Sequence, residues 1–130
     1  MPYIENISLK QAVKGDHWNR GADSVLIQIV NPALGFPKTK VKFLEVHQFE
    51  ILDEEPKFSE EQATAICKIL SDALKSDRNV TVHCHMGIAR SGAVAIIGHF
   101  MGFDLCTKNQ VPNHRMQKPL ECEFRNNYWE

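Results

Sequence analysis

The chain has 130 residues, of which 43% are hydrophobic and 24% are charged, a size and composition typical of one globular domain. Lys and Arg number 15 against 16 Asp and Glu, which argues against non-specific nucleic-acid binding because that activity needs surplus positive charge. The sequence shows neither an apolar run of the roughly 18 residues that a membrane span requires nor a signal-peptide pattern. We therefore expect no membrane association and a cytoplasmic location.

The first half of the chain predicts two strands. Residues 24–30 are rich in β-branched side chains and are followed by a loop over 31–40, which contains two prolines and a glycine. Residues 41–49 alternate partly between apolar and polar side chains, which indicates a second strand. Residues 50–58 form an acidic connection interrupted by Pro56.

The clearest helix is predicted over residues 60–76. Ser59 can cap its N-terminus, and Gln62 follows three residues later as in a capping box. Apolar side chains recur on one face at helical spacing. They are Ala63, Ile66, Cys67, Leu70 and Leu74.

The second half predicts a short strand over 80–83, a loop, and a helix over 91–101. That helix is almost entirely small or apolar, so we expect it to be buried on most sides. The polar C-terminal segment predicts one more short helix, beginning near Pro112 and Asn113. Strands alternating with helices favour an α/β fold of one domain, with a central, mostly parallel sheet flanked by helices. In such sheets ligands bind at the carboxyl ends of the strands, where the loop after His83 lies.

The chain has four cysteines, none of them in a C-x-x-C pair. Without an export signal, disulfides are not expected. We interpret Cys67, Cys106 and Cys122 as buried structural thiols. Cys84 is different because of the segment around it.

Residues 83–91 read His-Cys-His-Met-Gly-Ile-Ala-Arg-Ser and connect the end of a strand to the start of a helix. A tight loop there directs several backbone N–H groups inward, and the helix start adds unpaired N–H groups and a positive dipole end. Together these groups form an anion site of phosphate size. Gly87 permits a backbone turn that a side chain would hinder.

Within this loop, each residue type suggests a role. Cys84 is expected to be a thiolate nucleophile, because helix N-termini and nearby cations favour the anion. Arg90 can hold two phosphate oxygens with its planar fork and neutralise charge in the transition state. Ser91 can donate a hydrogen bond to the sulfur, and His83 can order the loop through backbone contacts. The predicted phosphate-binding residues are His85, Met86, Gly87, Ile88, Ala89 and Arg90.

The spacing His83-Cys84-x5-Arg90-Ser91 resembles the H-C-x5-R-S signature of the protein tyrosine and dual-specificity phosphatases. The resemblance covers residues 49–102 most securely and plausibly extends to 24–32. It implies a compact, atypical dual-specificity catalytic domain over residues 1–130, without the extra loop that deepens the pocket of the larger tyrosine-specific enzymes. The implied reaction is hydrolysis of a phosphoric monoester through a phosphocysteine on Cys84, with no metal or other cofactor.

The resemblance also implies a general acid, which in these phosphatases is an aspartate on a mobile loop upstream of the cysteine. Asp53 lies 31 positions before Cys84, between a predicted strand and the capped helix. We therefore predict that Asp53 protonates the leaving group and later activates water. Glu50, Glu54 and Glu55 are the alternatives.

Two other functions stay open: a rhodanese-like sulfurtransferase with a loop cysteine, and a phosphate-binding module without turnover. A zinc site is disfavoured because the spacing of the histidines around Cys84 fits no common zinc pattern. The expected partner is a phosphorylated protein or another phosphate monoester, with nucleic acid only as a phosphorylated substrate. The sequence indicates neither the natural substrate nor the oligomeric state.

Overall fold

A computed structural model of the chain describes residues 2–19, 21–51, 58–106, 110 and 113–129, with the exception of the His114 side chain. Within these residues five strands form one sheet in the order β3-β2-β4-β1-β5, and every pairing is parallel. The predicted parallel sheet is therefore confirmed. The strands are β1 (Tyr3–Ser8), β2 (Val25–Val30), β3 (Glu45–Glu50), β4 (Val80–Cys84) and β5 (Asp104–Leu105).

Four helices accompany the sheet. Helices α2, α3 and α4 pack against one another, and α3 also packs against β1 and β4, whereas α1 lies beside β1 and β4. Their apolar side chains join those of the strands in one hydrophobic core. The helices are α1 (Leu9–Lys14), α2 (Glu60–Lys75), α3 (Arg90–Met101) and α4 (His114–Asn127).

Helix α2 forms as its sequence predicts. The Ser59 hydroxyl accepts the N–H of Gln62, and the Gln62 side chain accepts the N–H of Ser59, both at 3.1 Å, so the capping box is complete. The apolar face lies in the core, where Cys67 is fully buried. Burial raises the pKa of the Cys67 thiol to about 12, which is characteristic of an inert structural cysteine.

Helix α3 is buried over most of its length, as its apolar composition predicts. It lies so close to β1 that a Cβ at Gly98 would come within 2.7 Å of the Ile4 side chain. This contact fixes α3 against the sheet and so positions the loop at its N-terminus.

The ends of the chain differ from the sequence-based expectation. Strand β1 and helix α1 were not predicted. The strand contains the polar residues Glu5 and Asn6, which do not indicate a buried strand, yet both are buried in the structure. The Glu5 carboxylate accepts the N–H of Asn19 at 2.9 Å, so its burial depends on a distant residue. At the other end, α4 is a 14-residue helix capped by Asn113, longer than the short helix expected.

Two of the cysteine assignments are wrong. Cys106 and Cys122 are exposed, whereas both were expected to be buried. Cys106 follows the two-residue edge strand β5, and Cys122 lies on an outward face of α4. No helix in the described part of the chain has the length and apolar character needed to cross a lipid bilayer.

Candidate active site

The candidate site lies where the carboxyl ends of four neighbouring strands meet. Strand β4 ends at Cys84, and its neighbour β1 ends at Ser8, which is paired with Cys84 in the parallel register. Strands β2 and β3 are followed by Asn31 and Ile51. This edge of a parallel sheet is the expected position for a ligand site.

The Cys84 sulfur contacts polar groups of the loop and of the helix after it. It accepts the N–H of Gly87 at 3.3 Å, and the Ser91 hydroxyl lies 3.1 Å away. Both Cys84 and Ser91 are buried. Because Ser91 belongs to the first turn of α3, the sulfur lies close to the positive end of the helix dipole. If the Ser91 hydroxyl donates, the sulfur accepts both of these hydrogen bonds.

The loop between Cys84 and Arg90 is held from behind at three carbonyl groups. In a trans peptide unit the C=O and the following N–H point in opposite directions. Holding these carbonyls outward therefore turns the next N–H groups toward the concave side, where an anion would bind. The three bonds run from Leu9 N–H to His85 O (3.1 Å), from Asn6 Nδ2 to Gly87 O (2.6 Å) and from Asn113 N–H to Ala89 O (3.1 Å).

Gly87 is required by its conformation and by its surroundings. Its φ is +77°, in the left-handed region that favours glycine. A Cβ there would lie 2.4 Å from the backbone carbon of Ile7 and from the backbone nitrogen of Ser8. The loop therefore rests directly on the end of β1.

The Arg90 side chain turns toward the ends of β2 and β3. Its Nη1 atom donates to Asn31 Oδ1 at 2.8 Å and to the Ile51 carbonyl at 2.7 Å. The residue is only 4% exposed. The guanidinium is thus held by neutral oxygens at the same sheet edge as the sulfur.

The other predicted phosphate-binding residues surround this arrangement. His85 and Met86 are exposed, and Ile88 and Ala89 are half-buried. Arg90 and His85 line a small, largely apolar cavity of about 90 Å³ with Leu9, Leu34 and other residues. Larger cavities of about 560 and 650 Å³ lie beside the C-terminal part of α4 and include no residue of the loop. We assign the candidate site to the loop because the polar groups converge there.

His83 is fully buried at the end of β4, and neither of its ring nitrogens has a hydrogen-bond partner among the described residues. Burial is the main reason why the pKa of His83 is lowered from 6.5 to about 4. The backbone of Cys84 opposes this shift, and the positive charge of Arg90 adds to it. His83 is therefore neutral near pH 7 and packs beneath the loop without adding charge.

The predicted general acid cannot be placed. Asp53 and its alternatives Glu54 and Glu55 lie outside the described residues. Glu50 is exposed at the end of β3, and its backbone carbonyl accepts the Gln62 side chain at 3.2 Å. The role of Asp53 as general acid therefore stays a prediction. The backbone carbonyl of Ile51, two positions before Asp53, accepts a hydrogen bond from Arg90.

Sequence reasoning missed three polar side chains that hold the site. Asn6 braces the loop, and Gln110 donates to Asn6 Oδ1 at 3.0 Å. Asn31 accepts from Arg90. Asn6 lies inside a strand and Asn31 directly after one, and such polar positions can indicate a supporting role. The sequence alone does not show which residue each of them contacts.

Two further histidines, His47 and His99, contact groups other than the cysteine. His47 contacts Glu45 at 3.0 Å, and His99 lies 3.0 Å from the Phe103 carbonyl. Across the described ranges, no three His, Cys, Asp or Glu side chains are grouped closely enough to hold a metal ion.

Three solved structures with a similar fold are named as phosphatases or as phosphatase-like proteins. The human tyrosine phosphatase-like serine/threonine/tyrosine-interacting protein has a TM-score of 0.68 and 18% identity, with coverage of 100% of this chain and 95% of that chain. Human DUSP28 has a TM-score of 0.70 and 15% identity, covering 97% and 94%. OH1 from the Orf virus, described as a tyrosine phosphatase with triple substrate specificity, has a TM-score of 0.55 and 15% identity, covering 100% and 73%.

No protein-family model matches the sequence, and no curated protein matches it significantly. At 15–18% identity the structural similarity establishes the fold alone. The chain therefore has the fold of the tyrosine and dual-specificity phosphatases, as the motif predicted.

Replacing Gly87 should disrupt the loop. We expect Gly87→Ala to lower the free energy of unfolding by about 3 kcal/mol or more, since a strained φ and a backbone clash combine. It should also abolish binding of tungstate, a tetrahedral oxyanion. Urea unfolding and isothermal titration calorimetry measure the two effects.

Gly35 provides a matched control, because its φ is also positive, at +69°, but a Cβ there meets nothing within 4 Å. Gly35→Ala should cost only about 1–2 kcal/mol, the left-handed strain alone, and should retain tungstate binding. Equal effects of the two substitutions would contradict the close contact with β1.

His83 should make the protein less stable in mild acid. The unfolded chain binds a proton at His83 below pH 6.5, whereas the folded protein does so only near pH 4. Stability should therefore fall as the pH decreases from 6.5 toward 4, with this residue contributing about 3 kcal/mol. In urea titrations across this range, His83→Gln should lose less stability than the wild type. If the free energy of unfolding of the two proteins fell equally with decreasing pH, a buried, neutral His83 would be contradicted.

Proposed function

We propose that the chain is a phosphoric monoester hydrolase of the tyrosine and dual-specificity phosphatase type, acting through a phosphocysteine on Cys84. The observation that carries the proposal is the buried sulfur, 3.3 Å from the Gly87 N–H and 3.1 Å from the Ser91 hydroxyl, at the start of α3. Such surroundings stabilise a thiolate, and the thiolate is the nucleophilic form of cysteine.

The first step transfers the phosphoryl group to the enzyme. The Cys84 thiolate attacks phosphorus, so that a P–S bond forms while the P–O bond to the leaving group breaks. Asp53 gives its proton to the departing oxygen, which leaves as an alcohol or phenol. The inward N–H groups of the loop and the Arg90 guanidinium stabilise the equatorial oxygens.

The second step restores the enzyme. Asp53, now a carboxylate, takes a proton from water, and the water oxygen attacks phosphorus. The P–S bond breaks, and inorganic phosphate and the Cys84 thiolate are formed. Ser91 supports this step because its hydroxyl can donate to the sulfur as negative charge returns to it.

The proposed substrate class rests on a shallow, exposed site. The extra loop that deepens the pocket of the larger tyrosine-specific enzymes is not expected here, and Met86 is 68% exposed beside the site. A shallow pocket would admit phosphoserine and phosphothreonine as well as phosphotyrosine. A phosphorylated protein in the cytoplasm is the proposed partner, and the whole chain is proposed to be one catalytic domain.

A phosphate-binding module without turnover is the second candidate. It is favoured by one comparison, since a similar structure is named as a phosphatase-like interacting protein. The hydrolase ranks first because the chain has Cys84 together with the predicted acid Asp53. The sulfurtransferase has no support among the similar folds.

Removing the nucleophile tests the proposal. Cys84→Ser should lower p-nitrophenyl phosphate hydrolysis by on the order of 10⁴-fold or more, because a serine hydroxyl is a poor nucleophile without an activating base. Tungstate binding, measured by calorimetry, should be retained. Cys122→Ser, at an exposed position, is the control and should keep full activity.

Turnover that survives Cys84→Ser would reject this nucleophile. A wild-type protein that binds phosphopeptides without hydrolysing p-nitrophenyl phosphate would instead be the binding module. Cyanide-dependent turnover of thiosulfate would identify a sulfurtransferase.

Removing the proposed acid should change the pH profile. Asp53→Ala should lower kcat/KM for an aryl phosphate by about 10²–10⁴-fold. It should also remove the fall in rate at higher pH, where the carboxyl group of the wild type loses the proton it must donate. Steady-state rates between pH 5 and 8 measure both effects. An unchanged profile in Asp53→Ala would transfer the role to Glu50, Glu54 or Glu55.

A further inference from the structure

The contacts of Arg90 show how the predicted phosphate clamp is oriented. A guanidinium carries two N–H groups on each Nη atom. Here Nη1 has two acceptors, Asn31 Oδ1 at 2.8 Å and the Ile51 carbonyl at 2.7 Å. Since the guanidinium is planar, two bonds to one nitrogen constrain the plane of the whole group.

Asn31 is itself held in place. It follows Val30, the last residue of β2, which is paired with Glu50 of β3. Its carbonyl accepts the N–H of Leu34 at 3.0 Å, and Pro32 restricts the chain on the other side. The side-chain amide therefore extends from a rigid position, so its contact with Arg90 costs little additional ordering.

The two acceptors described for Nη1, the Asn31 amide oxygen and the Ile51 carbonyl, are both uncharged. A carboxylate in the same position would hold the guanidinium more strongly, but it would offset the positive charge and repel an incoming dianion. An amide oxygen orients the group without adding a negative charge of its own. Both the position and the neutrality of the Asn31 oxygen therefore favour binding of an anion by Arg90.

We propose that Asn31 is a positioning residue, which orients the Arg90 guanidinium for a dianionic tetrahedral oxyanion without neutralising it. The inference deepens the proposed function and rests on it. Asn31 acts through Arg90 and need not contact the substrate.

Oxyanion binding tests the inference without requiring turnover. Tungstate affinity is measured by calorimetry in the Cys84→Ser protein. Adding Asn31→Ala should weaken binding about tenfold, the loss expected for a misplaced charged donor. Adding Asn31→Asp should weaken it at least as much, and the loss should shrink as salt is raised, because repulsion between the carboxylate and tungstate is screened.

A double-mutant cycle separates positioning from a general structural effect. In the Arg90→Lys background, Asn31→Ala should change tungstate affinity less than about twofold, because the group that Asn31 orients is gone. A merely structural asparagine would weaken binding equally in both backgrounds.

Asn19→Ala is the matched control. Asn19 is a buried asparagine that bonds Thr81 and Ser24, so its loss should lower stability but leave tungstate affinity unchanged. Retained affinity in Asn31→Ala or Asn31→Asp, or additive effects in the cycle, would overturn the inference. Tungstate binding by a protein without phosphatase activity would overturn only the proposed function. No tungstate binding by the Cys84→Ser protein would overturn both.

Discussion

The site depends on the contact between the loop after β4 and the end of β1. The two strands are parallel neighbours, with Ser8 opposite Cys84, so their carboxyl ends meet. Gly87 lies directly on the β1 backbone there, and Asn6 holds its carbonyl at 2.6 Å. The same glycine can then present its N–H to the sulfur. A side chain at position 87 would push the loop away from β1, and it would also move the amide N–H away from the sulfur.

The charges of the site are arranged around this contact. Arg90 is buried, yet the partners described for its Nη1 atom are neutral oxygens from the ends of β2 and β3. Its charge in turn helps to keep His83 neutral beneath the loop.

The structural comparisons extend what the nine-residue motif indicated. Proteins with 15–18% identity have the same fold over nearly the whole chain, although neither a family model nor a curated protein matches the sequence. This is consistent with a fold that depends on buried apolar strands and on the parallel order of the sheet rather than on particular surface residues. The fold alone does not distinguish a hydrolase from a phosphate-binding relative. That distinction depends on the chemistry of Cys84 and Asp53.

The sequence by itself determined the features that arise from neighbouring residues. The Ser59–Gln62 capping box, the apolar helix α3, the buried strand β2 and the spacing between Cys84 and Arg90 all involve groups within a few positions of one another. Such local patterns can be read directly because secondary-structure period and loop length constrain them.

Only the tertiary structure decided which polar residues support the site. Asn6 meets Gly87 across 81 positions, Gln110 meets Asn6 across 104, and Asn31 meets Arg90 across 59. A polar residue is not expected to be buried unless a hydrogen-bond partner is known for it. The sequence does not reveal the partners of Glu5 and Asn6, so β1 was not predicted. The exposure of Cys106 and Cys122 likewise became known only from the tertiary structure. Hydrogen bonds between distant segments leave no periodic signal in the sequence, so the supporting residues become visible only when the strands are placed side by side.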